Sequence, residues 1–199
     1  MKSIVRILVI LVFSSPVISW ANQPDTHPFN SAIGLTVGYG TQDFGLLHLG
    51  VQYYYKVLIH QIHYSVLVLK YQKLSSDALI GIQYNITEYY KSFDCTVPLY
   101  SHEHGFNIGS ITSYQVGNNI KNVYVLVSLA GLFINNAPDR QSNGFIFSDN
   151  IGIGITIHMI NNIDISPQFG FRHISNAGIK SPNGGIHNWV ISVGCIYNL

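Results

Sequence analysis

Strict two-residue alternation of apolar with small or polar side chains runs through most of this chain, and it leaves few folds open. Ile151, Ile153, Ile155, Ile157 and Met159 alternate with Gly152, Gly154, Thr156 and His158. His187, Trp189, Ile191, Val193, Cys195, Tyr197 and Leu199 form a second row, Val123, Val125, Val127 and Leu129 a third. Ile80, Ile82, Tyr84 and Ile86 oppose Gly81, Gln83, Asn85 and Thr87, and Leu47, Leu49, Val51, Tyr53 and Tyr55 alternate in the same way. A period of two is the period of a β-strand, whose successive side chains point to opposite faces. Apolar residues make up 47% of the chain, yet past the first residues no apolar run is long enough for a transmembrane helix. The second faces carry mostly Gly, Ser, Thr, Asn and Gln rather than charges, which are only 10% of the chain. A soluble sandwich or lipocalin-like barrel would turn charged residues to solvent. Small polar residues suit the narrow interior of a barrel whose apolar face meets lipid. The expected fold is therefore all-β, an antiparallel transmembrane β-barrel.

Connection lengths support this reading. Short turns are expected at Gly117-Asn118-Asn119, at Asn161-Asn162 and from Gln72 to Asp77, and longer polar loops at 91–103, 135–144 and 176–185. Short turns on one rim and long loops on the other mark periplasmic and extracellular ends. Counting back from Leu199, strands are expected at 186–199, 162–175, 145–160, 121–134, 104–117, 78–90, 61–72 and 45–56. That gives eight. Residues 32–40 also alternate and would make a ninth; since even counts are the rule, either that segment or the irregular 57–71 region is not a strand. Lys2 and Arg6, the apolar run Ile7 to Phe13 and the small-x-small site Ser19-Trp20-Ala21 read as a secretory signal over 1–21, leaving one barrel domain over 22–199. Export to a bacterial outer membrane follows. Without a basic stripe, nucleic acid is excluded as a partner. Cys95 and Cys195 fall far apart in this layout and are expected to stay unpaired.

The chemistry concentrates near the C-terminus, in Phe169-Gly-Phe-Arg-His-Ile-Ser-Asn-Ala-Gly178. His173 and Ser175 are two residues apart, so one strand presents them on one face, together with Phe169 and Phe171. A histidine beside a hydroxyl is the minimum for activating a serine nucleophile. Asn176 follows as a candidate donor to an oxyanion. The apolar residues of that face turn it toward lipid, near the long-loop rim, where the available substrate is an acyl ester of the lipid itself.

The run His173-Ile-Ser-Asn-Ala-Gly178, with Pro182-Asn183-Gly-Gly185 and a final strand, resembles the signature of the PagL family of outer-membrane lipid A 3-O-deacylases. The resemblance is firm over about the last 30 residues and weaker at Gly144-Phe-Ile-Phe147. It implies an eight-stranded barrel hydrolysing the ester-linked acyl chain at position 3 of lipid A, with no cofactor. It implies His173 as general base, Ser175 as nucleophile and Asn176 in the oxyanion hole. The family's third member is a glutamate twelve residues after the serine, and this chain has His187 there. A neutral histidine accepts a hydrogen bond and fixes a tautomer but brings no negative charge, so a slower enzyme is expected. The alternative is a non-catalytic barrel derived from such an enzyme, binding lipopolysaccharide or simply occupying the membrane; a third reading is an esterase of phospholipids.

Other residues offer less. Arg172 has inward parity and is expected inside the barrel. Asp149, Glu103 and Asp164 are candidates to replace the missing carboxylate only where the fold brings one to His173. Asp164 begins the same strand at its periplasmic end, and Asp149, which starts the neighbouring strand near the outer rim, is the one substitute to check. His102-Glu103-His104, His60 and His63 lack a matched ligand set, so no metal is expected. The Tyr53-Tyr54-Tyr55 run and Tyr89-Tyr90 read as an interfacial aromatic girdle.

Overall fold

A computed structural model describes residues 31–117 and 120–199. The segment read as an export signal, and Asn118 and Asn119 of one turn, lie outside the described residues. The strands are β1 (Ser31–Thr41), β2 (Tyr55–Tyr71), β3 (Leu74–Tyr90), β4 (Pro98–Gln115), β5 (Ile120–Ile134), β6 (Gly144–Ile160), β7 (Ile163–Ser175) and β8 (Ile186–Asn198). Each pairs antiparallel with its chain neighbours, and β1 closes on β8, with Ala32 opposite Asn198 and Thr41 opposite Trp189. The result is a closed antiparallel transmembrane barrel of eight strands.

Parity sorts the side chains as the sequence requires. Ile33, Leu35 and Val37 of β1, Ile80 and Ile82 of β3, Phe106 and Ile108 of β4, and Ile191 and Val193 of β8 are exposed on the outer wall. A water-facing surface this apolar would be an aggregation hazard; in hydrocarbon it is the stable arrangement. Among the described residues, closure pairs every strand on both sides along the shared register, the condition for crossing lipid.

The barrel interior has two storeys. Toward the short turns, Gln61, His63, Gln83, Tyr124, Ser166, Gln168 and Ser192 surround a cavity of about 80 Å³. Toward the long loops it is solid: Tyr55, Val57, Leu132, Ile134, Ile146, Ile174 and Ile186 are fully buried. Among them sits a buried ionic network. The Glu103 carboxylate accepts from Arg172 Nη2 (2.5 Å), Asn85 Nδ2 (2.6 Å) and Tyr55 Oη (2.5 Å). Arg172 Nε donates to Ser148 Oγ at 3.0 Å. The inward position expected for Arg172 is therefore met, by a carboxylate.

Several boundaries differ from the sequence reading. The ninth candidate is real: 32–40 lies in β1 and 57–71 in β2, while most of the expected strand 45–56 is loop. The cause is glycine. Gly45 and Gly50 take positive φ (79° and 64°), a left-handed backbone that no strand continues through. Phe44 N–H bonds Leu47 O, closing a tight turn where extension was expected. The count of eight stands with a different first member. The β2–β3 turn is also tighter than expected, since Tyr71 pairs with Leu74, leaving Gln72 and Lys73. β4 begins at Pro98, inside the expected loop 91–103. Alternation there sends Glu103 inward and His102 and His104 outward. The tyrosine girdle is only half right: Tyr54 and Tyr90 stack at 4.3 Å outside, but Tyr55 and Tyr89 are buried inside. Cys95 and Cys195 are both free thiols.

Candidate active site

His173 and Ser175 end β7 on the outer wall, at the long-loop end. Their alternating neighbours Arg172 and Ile174 are fully buried in the barrel, which fixes the face on which the pair stands. Register brings His187 of β8 directly opposite His173. The two Nδ1 atoms are 3.0 Å apart and the rings stack with centroids 4.6 Å apart. One of the two nitrogens carries the proton of that contact. If His173 donates, its Nε2 keeps a lone pair, the tautomer a general base toward Ser175 requires. His187 then accepts at Nδ1 and holds its own proton at Nε2. On β6, register places Asp149 on the other side of His173.

The bracing of His187 comes from the far end of the chain. Tyr53 Oη accepts the His187 backbone N–H at 2.7 Å, and Gln42 Nε2 donates to the His187 carbonyl at 3.0 Å. The Gln42 side chain also accepts from Tyr55 N–H at 2.9 Å, tying β2 to the same point. Arg140 lies over the Tyr53 ring, 4.0 Å from its centroid. Burial pushes the Tyr53 phenol up, only partly offset by the His187 N–H and the Arg140 charge, so the hydroxyl stays neutral. Below, Phe171 stacks on His187 at 5.6 Å and meets Trp189 edge-on at 5.3 Å, a floor of aromatic rings. Sequence reasoning read Tyr53 as part of an interfacial girdle and passed over Gln42 and Arg140; no local pattern announces contacts made across 134 and 145 residues, as those of Tyr53 and Gln42 to His187 are.

The loop after Ser175 is laced to the loop before β6. Ser142 N–H donates to Pro182 O, Gly184 N–H to Arg140 O, and Arg140 Nη2 to Gly184 O. Asn176 is the knot of this lacing and is buried. Its Nδ2 donates to Ser142 Oγ (2.6 Å) and Lys180 O (2.5 Å), its Oδ1 accepts Gly178 N–H (2.9 Å), and its backbone N–H donates to Asn183 Oδ1 (2.9 Å). The structure thus puts Asn176 beside Ser175 in sequence but on the buried side, with its amide hydrogens engaged in the loop. Gly185 completes the frame. It takes φ of 66°, and a Cβ there would stand 2.9 Å from His173 Cε1. Only glycine lets the loop fold down against the imidazole.

The remaining candidates lie elsewhere. Asp164 points into the barrel near the short turns, held by Lys121 (2.7 Å), His158 (3.0 Å) and Asn198 (2.9 Å). His60 faces outward and His63 is buried on the inner face, so the two histidines do not converge.

A family model described as Lipid A 3-O-deacylase (PagL) matches residues 48–195. Among solved structures, the crystal structure of the outer membrane enzyme PagL superposes with a TM-score of 0.56 at 15% identity, over 82% of this chain and 97% of that one. Two further barrels superpose less closely. Neisserial surface protein A gives 0.44 at 11% identity, over 86% and 97% of the two chains. The Yersinia pestis outer membrane protein Ail gives 0.38 at 10%, over 86% and 100%. Among curated proteins, none matches the sequence.

Proposed function

The chain belongs to the lipid A 3-O-deacylase (PagL) family, and from that premise we propose that it is itself a lipid A deacylase of the bacterial outer membrane. One observation carries the reading: a histidine and a serine stand on the lipid-facing wall, at the end where the long loops meet, with a second imidazole in register behind the base. The export signal over 1–21 brings the chain to that membrane, and the long-loop end faces outward, where lipid A resides.

In the proposed reaction, Ser175 Oγ attacks the carbonyl carbon of the 3-O-linked ester as its proton passes to His173 Nε2. His187 holds the ring by its Nδ1. The tetrahedral oxyanion is met by Asn176, whose Nδ2 must exchange one of its loop hydrogen bonds, to Ser142 or Lys180, for the substrate oxygen. Collapse expels the sugar oxygen, which takes the proton from His173. Water then attacks the acyl-serine, giving its proton to His173, and the fatty acid leaves as Ser175 is re-formed. The chemistry needs no cofactor, and the aromatic floor of Phe171 and Trp189 offers the acyl chain an apolar track.

The test is mass spectrometry of lipid A from a Gram-negative host making this protein, beside the Ser175→Ala variant. Loss of one 3-hydroxyacyl chain only when Ser175 is present is the expected result. Unchanged lipid A with a folded barrel in the membrane overturns the proposal in favour of a non-catalytic, lipid-binding barrel; loss of a phospholipid acyl chain instead reassigns the substrate.

The loop frame makes a second prediction. Gly185→Ala drives a methyl into the His173 ring and strains the left-handed backbone by about 1–2 kcal/mol. Displacing the base by a fraction of an ångström to an ångström is expected to lower turnover by up to about 10²-fold. Turnover within error of the parent, measured on the same lipid, would show that the ring is not seated against this loop.

A further inference from the structure

The family's glutamate does two things for its histidine: it fixes the tautomer, and it places a negative charge beside the imidazolium formed during attack. His187 does only the first. The outer wall holds a group suited to the second. Asp149 is the register partner of His173 on β6, as His187 is on β8. Directly opposed side chains on antiparallel strands have Cβ atoms about 4.5–5.5 Å apart, within reach of a carboxylate and an imidazole.

Asp149 is also anomalous where it stands. It shares its face with Phe147, Ile151 and Ile153 on the lipid side, and it is half-buried. Among the described residues, no hydrogen bond or ion pair to its carboxylate is found. Other strand acids are placed differently. Glu103 is bound by Arg172, and Asp164 by Lys121 and His158, both inside the barrel. Glu88 faces outward but accepts from Tyr54 Oη. Asp77 shares the inward parity of the buried Leu79 and Gln83, away from lipid. An unpartnered carboxylate on a wall that meets hydrocarbon is costly, and such groups stand where function holds them.

We propose that Asp149 is the carboxylate partner of His173, supplying the charge that His187 cannot, so that the two duties of one glutamate are divided between β6 and β8. This rests on the reading of His173 and Ser175 as a base and nucleophile. Asp149 is a positioning residue: it acts on the imidazolium and not on the lipid. As Ser175 passes its proton to His173, the cation that forms lies between a neutral imidazole and an anion, and the pair is net neutral.

The experiment measures kcat and KM for release of 3-hydroxy fatty acid from lipid A in mixed micelles by the full-length protein, each variant checked for the folded barrel by its heat-dependent gel mobility. Asp149→Asn is expected to lower kcat by about 10²-fold with KM unchanged, a partial form of the loss seen when a triad carboxylate is neutralised. Asp149→Glu should keep most of the activity. The deciding variant is Asp149→Asn combined with His187→Glu, which returns a carboxylate to the ring from the other side and should recover the lost kcat. Parental kcat in Asp149→Asn overturns the proposal. So does a double variant as slow as Asp149→Asn when His187→Glu alone is active, because a structural loss is not repaired by a charge on β8. A parent inactive on lipid A, indistinguishable from Ser175→Ala, instead defeats the reading of the site, and Asp149 then has no reaction to serve.

Discussion

Ser175→Ala, His173→Ala and the double variant should all fall to one residual rate of lipid A deacylation, about 10⁴-fold below the parent. When nucleophile and base work as a unit, removing either removes the reaction path, and removing the second costs nothing more. In a serine protease the corresponding loss is about 10⁶-fold; the smaller loss expected here follows from a neutral ring, His187, behind the base in place of a carboxylate. The geometry gives the reason for strict non-additivity. His173 and Ser175 are the last two outward-facing residues of one strand, and Phe147, across from Ser175, is no base. Rates measured by mass spectrometry on purified variants decide the matter. If the double variant is slower than either single one by the product of their effects, the two side chains act independently and the dyad is wrong.

Glu103→Ala is expected to destabilise the barrel by about 3–5 kcal/mol, the usual cost of stripping one partner from a buried ion pair. Both partners are fully buried. Without the carboxylate, the Arg172 guanidinium, the Tyr55 hydroxyl and the Asn85 amide all lose their acceptor at once, and Arg172 Nη1 already lacks one. The interior beside Leu132, Ile134 and Ile174 gives them no water in exchange. Replacing both members by methionine removes the stranded charge as well as its partner, so that variant should lie well above Glu103→Ala in stability. Urea unfolding in detergent micelles supplies the comparison. A Glu103→Ala midpoint equal to the parent's would mean that solvent reaches this storey of the barrel.

Much of this was legible in the sequence because β-strand parity is arithmetic. Once β7 and β8 are strands, the apolar company of Phe169, Phe171 and Trp189 puts His173, Ser175 and His187 on the lipid side, and Arg172 on the other. The first strand was not legible, and the reason is specific. Polarity alternates through 45–56 as well as it does through 32–40, but polarity says nothing of backbone handedness, and Gly45 and Gly50 turn left. Asn176 shows a second limit. Its place after Ser175 was plain, yet of the partners that bury its amide, Lys180 needs their shared loop to fold back and Ser142 needs a second loop to close on it. Tyr53 and Gln42, which hold His187 from 134 and 145 residues away, carry no local signal at all.

A strand of alternating faces can be misthreaded by a single residue, and such a slip exchanges its inside for its outside. In β7 the slip would carry the Arg172 guanidinium into hydrocarbon and leave Glu103 without its cation. The same slip would draw His173 and Ser175 into the barrel, away from any lipid. The buried pair therefore acts as a proofreader of threading: the arrangement that satisfies the interior charge is also the one that presents the imidazole and hydroxyl outward. Which wall of this protein carries the imidazole and hydroxyl is set by an ion pair that never meets the membrane.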